Sequence, residues 1–261
     1  MKLTRPLPLV LIALALVAAV GMAWRSIIAR EPAPSVSYTL LDGSKASTEA
    51  MKGKVFVASY DGRLIALDAR TGHRIAGFGT DGIVDLRLDD DQEMDLVKAD
   101  IGLHSTPIVS GDMVIVGAAH DSGNVPPSHK NVKGYVRGFD VRSGKRIWIF
   151  HTIPMKGEFG YDSWLIPGQA EMVGNAGVWA QMSIDEELGL VYLPVESPTG
   201  DYNGQYRHGN NLFGESIVAV EIKTGKRRWH YQLIHHGIWD RDIPCAPILV
   251  DIPLKGKIVK A

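Results

Sequence analysis

Cysteine, net charge and helical periodicity are the features that this sequence has little of. One cysteine among 261 residues, Cys245, excludes an intrachain disulfide and any cysteine-based metal cage. The 28 basic and 29 acidic residues give a formal net charge of -1, so the composition does not indicate a nucleic-acid partner. From residue 55 onward, no segment keeps apolar residues at a sustained 3.6-residue period. The lack of helical periodicity favours a β-rich fold, and 261 residues are enough to form a sizeable core.

The first thirty residues have the pattern of an export signal. Lys2 and Arg5 precede an apolar run at residues 7–24, and a small-x-small triplet at 21–23 offers a cleavage site. The run is also just long enough to span a bilayer, so cleavage and retention as an anchor both stay open. We predict a signal peptide or signal anchor at 1–30 and a spacer at 31–54. The remainder is then periplasmic, secreted or anchored to the inner membrane.

From residue 55 onward short β-rich runs alternate with glycine and aspartate, and one hairpin pattern occurs three times. Its copies are LDARTGHRIA at 67–76, FDVRSGKRIW at 139–148 and VEIKTGKRRW at 220–229. Each combines a strand end, an acidic residue, a Thr-Gly or Ser-Gly turn and a return strand, and the glycine supplies the positive φ of a tight hairpin. Repeated units of this kind predict an all-β fold: a partial β-propeller of about three to four blades at 55–261, behind an N-terminal apolar helix.

The tryptophans of the repeat predict how blades meet. Trp148 and Trp229 close the second and third copies, whereas Ala76 stands at that place in the first. A tryptophan at a fixed place in each unit is interpreted as docking one blade against the next, without chemistry. We also expect Cys245 to be a buried small side chain in an apolar strand. The aspartates at 89–91 are expected to form a solvated loop.

The segment QLIHHGIWDRDIPCAP at 232–247 concentrates groups that can carry chemistry. Asp240 beside an indole, at the end of a strand, is a candidate general base. Asp242 is interpreted as structural. His235 and His236 are adjacent and project to opposite sides of a strand, which makes them a poor metal chelate. They are therefore expected to be structural or to line a substrate pocket.

The repeat with its TGKxxW turn resembles the tryptophan-docking motif of quinoprotein dehydrogenases, eight-bladed propellers that bind pyrroloquinoline quinone (PQQ). The stretches DGRLIALDARTG, GYVRGFDVRSGKRIWIFHTIP and VWAQMSIDEELGLVYLP are similar to that family in the same order. The stretch SIVAVEIKTGKRRWHYQLIHHGIWDRDIPCAPILVDI resembles its membrane-bound glucose dehydrogenase branch. The resemblance covers about residues 55–261 and implies a piece of a longer glucose or alcohol dehydrogenase.

The resemblance also implies roles for individual residues. Trp179 falls where the family has the indole under the PQQ ring, and Asp240 where it has the catalytic carboxylate that also approaches a divalent cation. Ser197 falls at an Asn metal ligand of alcohol-oxidising members, and Glu196 is expected to supply the missing oxygen. Neighbouring strand residues face opposite sides, so only one of the two is expected to face the centre. His104 falls where other members have a Thr that contacts a PQQ carboxylate.

The implied activity is oxidation of a sugar or alcohol hydroxyl with hydride transfer to PQQ. A Ca²⁺ or Mg²⁺ ion would assist, and a quinone or cytochrome would accept the electrons. The alternative is a non-catalytic propeller that acts as a binding or assembly module in the envelope. We expect residues 31–261 alone to bind PQQ weakly or not at all, because three units do not close a ring. The leader at 37–54 also resembles the opening of a membrane-tethered thioredoxin-like protein, but the Trp-Cys-x-x-Cys motif of that family is absent.

Overall fold

The structure, a computed structural model, describes residues 53–96, 101–120 and 131–260 and two short paired strands, β1 (Ser37–Thr39) and β2 (Lys45–Ser47). The predicted leader at 1–30 lies outside the described residues. Among those that are described, no helix is long and apolar enough to cross a membrane.

Three antiparallel sheets form successive blades of a β-propeller, as the repeat predicts. The first blade has the order β3-β4-β5, the second β11-β10-β8-β7 and the third β12-β13-β14-β15. Their strands are β3 (Lys54–Ser59), β4 (Arg63–Asp68), β5 (Ile83–Asp85), β7 (Ile108–Ser110), β8 (Met113–Val116), β10 (Val136–Asp140), β11 (Arg146–Phe150), β12 (Ser183–Asp185), β13 (Leu190–Val195), β14 (Ser216–Glu221) and β15 (Arg227–Gln232).

Two further strand pairs and three short helical turns complete the described residues. β6 (Ile101–His104) pairs with β9 (Ala118–His120), and β16 (Asp251–Leu254) pairs with β17 (Lys257–Lys260). The helical turns are α1 (Gln169–Met172) and two 3₁₀ turns at Tyr161–Ser163 and Gly204–Tyr206. The all-β prediction is therefore confirmed.

The sequence pattern that the three hairpins share has a local physical cause. Gly72, Gly144 and Gly225 adopt φ values of 71°, 71° and 67°, which a residue with a side chain reaches only under strain. The acidic residue closes the turn: Asp140 Oδ1 accepts hydrogen bonds from the Ser143 backbone N–H at 2.7 Å and from its Oγ at 2.8 Å. The spacing of acidic residue, hydroxyl and glycine thus encodes the turn itself.

The second and third blades meet around Trp148. Its indole is 6% exposed and belongs to the main apolar core, and Nε1 donates to the Ile222 carbonyl of the third blade at 2.8 Å. Glycines line both sides of the ring. A Cβ at Gly138 would lie 2.3 Å from it, and one at Gly225 would lie 2.6 Å from it. The indole therefore fills a slot that only glycine leaves open.

The first and second blades meet differently. Leu64, Ala66 and Phe78 of the first blade pack on apolar residues of β8 and β10. Beside them the Arg137 guanidinium donates to the Leu86 carbonyl at 2.6 Å, and its Nε lies 3.1 Å from Asp90 Oδ1.

Two expectations about single residues are wrong. Asp90 is 3% exposed, so the loop at 89–91 is not simply solvated, and burial raises the pKa of Asp90 to about 6. Its ion-pair partner is Arg137 of the next repeat, which is also buried. Cys245 is exposed because residues 243–250 form a connection without strand structure.

Candidate active site

The candidate site residues lie on loops at strand ends of the third blade. Trp179 precedes β12, Glu196 and Ser197 directly follow β13, and Asp240 and Asp242 follow β15. Loops on a rigid sheet bring together side chains that are far apart along the chain.

Asp242 joins the indole to the residues after β13. Its Oδ2 accepts the Trp179 indole N–H at 3.1 Å. Its Oδ1 accepts the Ser197 backbone N–H at 2.9 Å and the Ser197 hydroxyl at 3.2 Å. The interpretation of Asp242 as merely structural therefore understates its position, because it anchors two of the predicted site residues at once.

Asp201 continues the network to Asp240. The Ser197 hydroxyl lies 3.3 Å from Asp201 Oδ1, and the Asp240 backbone N–H donates to the Asp201 carbonyl at 3.3 Å. The Tyr202 hydroxyl donates to Asp240 Oδ2 at 3.1 Å. The Asp240 side chain is exposed, and its backbone has the left-handed φ of 49°. Trp179 and the segment of Asp240 are thus linked in one region.

A buried arginine holds the loop that carries Asp240. Arg207 is 0% exposed, and its Nη2 donates to the Gly237 carbonyl at 2.5 Å and to the Gly200 carbonyl at 3.0 Å. His236 Nδ1 lies 3.0 Å from the Gly209 carbonyl oxygen. These contacts agree with the structural interpretation of His236.

Negative charge accumulates at the centre of this network. Glu196 is 4% exposed, and its Oε1 accepts the Gly177 backbone N–H at 3.0 Å. Burial, followed by the neighbouring Asp242 carboxylate, raises the pKa of Glu196 well above its ordinary value. Burial, then Asp240 and Asp242, likewise raise the pKa of Asp201. The raised values mean that this environment favours a proton or a cation beside the carboxylates.

Glu196 and Ser197 both reach Asp242, contrary to the expectation that only one of them faces the centre. The Asp242 carboxylate lies close enough to raise the pKa of the Glu196 carboxyl, while Ser197 contacts the same residue through its N–H and hydroxyl. The reason is that β13 ends at Val195, so the alternation of a strand no longer applies to the next two residues.

The donor set suits a hard cation in its chemistry, since carboxylate and hydroxyl oxygens are the ligands that Ca²⁺ and Mg²⁺ prefer. The predicted metal residues Glu196, Ser197 and Asp240 belong to one hydrogen-bonded network. Within the ranges that the structure describes, however, no three His, Cys, Asp or Glu side chains already converge as a metal site. The metal assignment stays a prediction.

Trp179 is suited to support a flat ring. Its side chain is half-buried, and the bond to Asp242 fixes the edge of the indole. His104 lies nearby through the backbone: it pairs with Ala118, whose carbonyl accepts the Val178 N–H at 2.9 Å. The His104 side chain lies outside the described part, so its proposed contact with a cofactor stays a prediction.

Asp201 and Arg207 were missed by sequence reasoning, because both lie in the stretch at 198–213 that interrupts the repeat. The signal that could have found Asp201 is its place in a Gly-Asp turn just after the Glu-Ser pair.

Fold and site together define a class: a β-propeller that carries an indole and a carboxylate cluster on loops at its strand ends. The family described as PQQ: Glucose/ethanol/alcohol dehydrogenase, beta-propeller domain matches residues 26–261, and the chain belongs to this family.

Individual relatives agree with this family. The chain is 33% identical over 226 residues to the quinoprotein glucose dehydrogenase of Gluconobacter oxydans, a match that covers 84% of this chain and 26% of that protein. It is 34% identical to quinoprotein glucose dehydrogenase A of Acinetobacter calcoaceticus, covering 85% and 27%. The solved quinohemoprotein alcohol dehydrogenase ADHIIG of Pseudomonas putida HK5 matches with a TM-score of 0.66 and 32% identity, covering 80% of this chain and 29% of that one. The chain therefore spans about a quarter of the length of the relatives it matches.

Proposed function

We propose that this chain carries the cofactor side of a PQQ-dependent dehydrogenase that oxidises a sugar or alcohol hydroxyl. The observation that supports the proposal is the continuous network from Trp179 through Asp242, Ser197 and Asp201 to Asp240. A propeller that served only as a scaffold would need neither the indole anchor nor the clustered carboxylates.

The residues of this chain have separate tasks in the proposed reaction. Trp179 would support one face of the cofactor, and Asp242 would hold the indole in place. The Tyr202 hydroxyl occupies Oδ2 of Asp240, which leaves Oδ1 to accept the proton of a substrate hydroxyl. The exposure of Asp240 lets a polar substrate reach this oxygen.

PQQ, when bound, supplies an acceptor for the hydride of the substrate carbon. A Ca²⁺ or Mg²⁺ ion held by Glu196, Ser197 and Asp240 would supply positive charge beside the ring. Clustered carboxylates with raised pKa values support such an ion.

The remaining elements of the proposal concern the setting. The export-type leader supports a periplasmic location or an inner-membrane anchor. Electrons from the sugar or alcohol would then pass to a quinone or a cytochrome. A glucose-like substrate is favoured by the similarity to two quinoprotein glucose dehydrogenases.

The test is cofactor binding and dye reduction, in the presence of PQQ and Ca²⁺, by a complete propeller that includes this chain, because residues 31–261 alone are expected to bind PQQ weakly or not at all. Asp240→Asn is expected to keep PQQ, detected by its absorbance, and to lose substrate-dependent dye reduction by about 100-fold or more, as for removal of a general base. The matched control is Asp81→Asn, an exposed aspartate of the first blade, which should retain activity. Full turnover by Asp240→Asn would remove Asp240 from the role of base.

Trp179 gives a second, independent variant pair. Trp179→Leu is expected to lose PQQ because the platform is removed, whereas Trp179→Phe keeps a flat ring and only lacks the N–H that Asp242 accepts. Unchanged PQQ affinity in both variants would contradict the platform role.

A further inference from the structure

A cavity of about 670 Å³ lies between the loop after β5, the segment before β10, the loop after β11 and α1. β11 and β15 are equivalent strands of the repeat, so the cavity lies on the same face of the propeller as the loop of Asp240. None of the described residues assigned to a cofactor, a cation or proton transfer lines it. The cavity is therefore a second concave site, of a size that small-molecule ligands occupy.

The wall of this cavity contains a buried amine. Lys133 is 9% exposed, and its Nζ donates to the Glu171 carbonyl at 2.9 Å. Among the described residues no carboxylate forms an ion pair with this amine, although buried lysines are rare without such a partner. The Glu171 carboxylate instead accepts the Tyr161 hydroxyl at 2.7 Å. Burial lowers the pKa of Lys133 to about 8, so the neutral, nucleophilic amine is more abundant than in an ordinary lysine.

The backbone of Lys133 is held on both sides. The Gln92 side chain accepts the Lys133 N–H at 2.9 Å through Oε1 and donates to the Lys133 carbonyl at 2.9 Å through Nε2. On the other side Asn175 forms a parallel bridge with Lys133, and its N–H donates to the Val132 carbonyl at 2.7 Å. The amine is therefore carried by a fixed segment, as recognition of a ligand requires.

Two further hydrogen-bond donors line the cavity. Asn131, Lys133 and Tyr135 alternate along the segment that enters β10, so their side chains lie on one side of it. Asn131 Nδ2 is buried and has no hydrogen-bond partner in the described part of the chain. Tyr135 is 2% exposed, and its hydroxyl has no such partner there either. Burial raises the pKa of Tyr135, which keeps its O–H available as a donor.

The opposite wall decides which ligands suit these donors. Its charged groups are the carboxylates of Asp91, Glu93 and Asp95 and the amine of the exposed Lys156. The excess of carboxylates disfavours an anionic ligand. Pro154, Met155 and Met172 add apolar surface beside them. The cavity therefore favours a neutral molecule that has one acceptor oxygen and a short apolar part.

We propose that this cavity binds a neutral aldehyde with a short apolar chain, which Lys133 captures as an imine. The Lys133 nitrogen attacks the carbonyl carbon, while the Asn131 amide and the Tyr135 hydroxyl donate to the carbonyl oxygen and polarise it. Both hydrogens of the neutral amine leave with that oxygen as one molecule of water, so the step needs no oxidant or reductant. Oxidation of a primary alcohol also yields an aldehyde, but the capture does not require that reaction.

The test traps the imine in the complete propeller that includes this chain, in the absence of PQQ. Hexanal is the probe, sodium cyanoborohydride reduces any imine to a stable secondary amine, and peptide mass spectrometry locates the adduct. At pH 8 we expect the adduct on Lys133 at roughly 10 times or more the level on Lys145, an exposed lysine of the turn after β10. The reason is that an amine with a pKa of about 8 is half neutral at this pH.

The pH dependence distinguishes a reactive amine from one that is merely accessible. Adduct formation at Lys133 should reach half of its maximum near pH 8. Glu171→Gln removes a carboxylate that raises the pKa of Lys133, so the half-maximum should move to lower pH. Tyr135→Phe should keep the site and slow adduct formation by roughly 10-fold or more, because a proton donor is lost.

Two controls define the site and the class of ligand. Lys133→Met should remove the adduct at this position, whereas Lys156→Met, at the exposed lysine of the same cavity, should leave the adduct on Lys133. Glyoxylate, an anionic aldehyde, should label Lys133 less than hexanal does, because the opposite wall is acidic.

Three outcomes would overturn the proposal. The adduct level on Lys133 equals that on Lys145, the half-maximum lies at about pH 10 as for ordinary lysines, or glyoxylate labels Lys133 as well as hexanal does. None of these measurements involves PQQ or dye reduction, so they leave the proposed function to its own test.

Discussion

The two joints between successive blades follow the same repeat but use different chemistry. The second joint places the indole of Trp148 between two glycines and satisfies its N–H with the Ile222 carbonyl. The first joint has Ala76 at the tryptophan position, and a buried ion pair between Arg137 and Asp90 lies beside its apolar contacts. The repeat therefore sets the geometry of neighbouring blades, while single side chains decide how each joint is held.

The largest expected effect is at the second joint. Trp148→Ala should lower the free energy of unfolding by ~3–5 kcal/mol, because it removes a buried ring and leaves a cavity. Trp229→Ala is the matched change at the repeat-equivalent exposed tryptophan, and it should cost the monomer less than about half as much. Urea denaturation of dilute protein measures both. Equal losses for the two variants would show that the docking role of Trp148 is misassigned.

A pH-dependent effect is expected at the first joint. Asp90 has a folded-state pKa of about 6, above its ordinary value of 3.8, so its contribution to stability is present below pH 3.8 and is lost as the pH rises through 6. Arg137→Met removes the charge that offsets this loss. It should therefore cost ~3 kcal/mol or more at pH 8, and clearly less at pH 5, where Asp90 can take up a proton.

The control for this variant is Arg142→Met, which breaks an exposed pair with Asp112 and should cost under ~1 kcal/mol at either pH. Denaturation at the two pH values gives the comparison. A loss for Arg137→Met that does not change between pH 5 and pH 8 would contradict the assignment to Asp90.

A smaller effect tests the glycine slot. Gly138→Ala places a methyl group against the Trp148 ring, where 2.3 Å is available, and should cost ~1–3 kcal/mol through overpacking. Gly77→Ala adds the same methyl group where no described atom lies within 4 Å, and should be nearly neutral. If both variants have the stability of the unchanged chain, the slot is looser than described.

The sequence predicts the regular parts of this molecule better than the polar contacts. The three hairpins were found because the turn chemistry is local: an acidic residue, a hydroxyl and a glycine at fixed spacing. The burial of Asp90 was not found because its partner, Arg137, lies 47 positions away in the next repeat. Cys245 is exposed because residues 243–250 form a connection without strand structure, although their apolar composition is typical of a strand.

The candidate site shows the same division. Trp179, Glu196, Ser197 and Asp240 were identified by resemblance, and the structure joins them in one network. Asp242 was undervalued because its role depends on contacts with residues 45 and 63 positions earlier in the chain. Long-range contacts of this kind leave no periodic trace in a single sequence.

The two carboxylate oxygens of Asp242 have different partners. Oδ2 accepts the Trp179 indole N–H, and Oδ1 accepts the Ser197 backbone N–H and hydroxyl. A carboxylate is a rigid planar group, so its oxygens cannot move independently. Any ligand that draws the carboxylate toward Ser197 therefore also rotates or releases the indole. By thermodynamic reciprocity, a ligand bound beside the indole changes the affinity for a ligand bound beside Ser197 by the same factor as in the reverse direction.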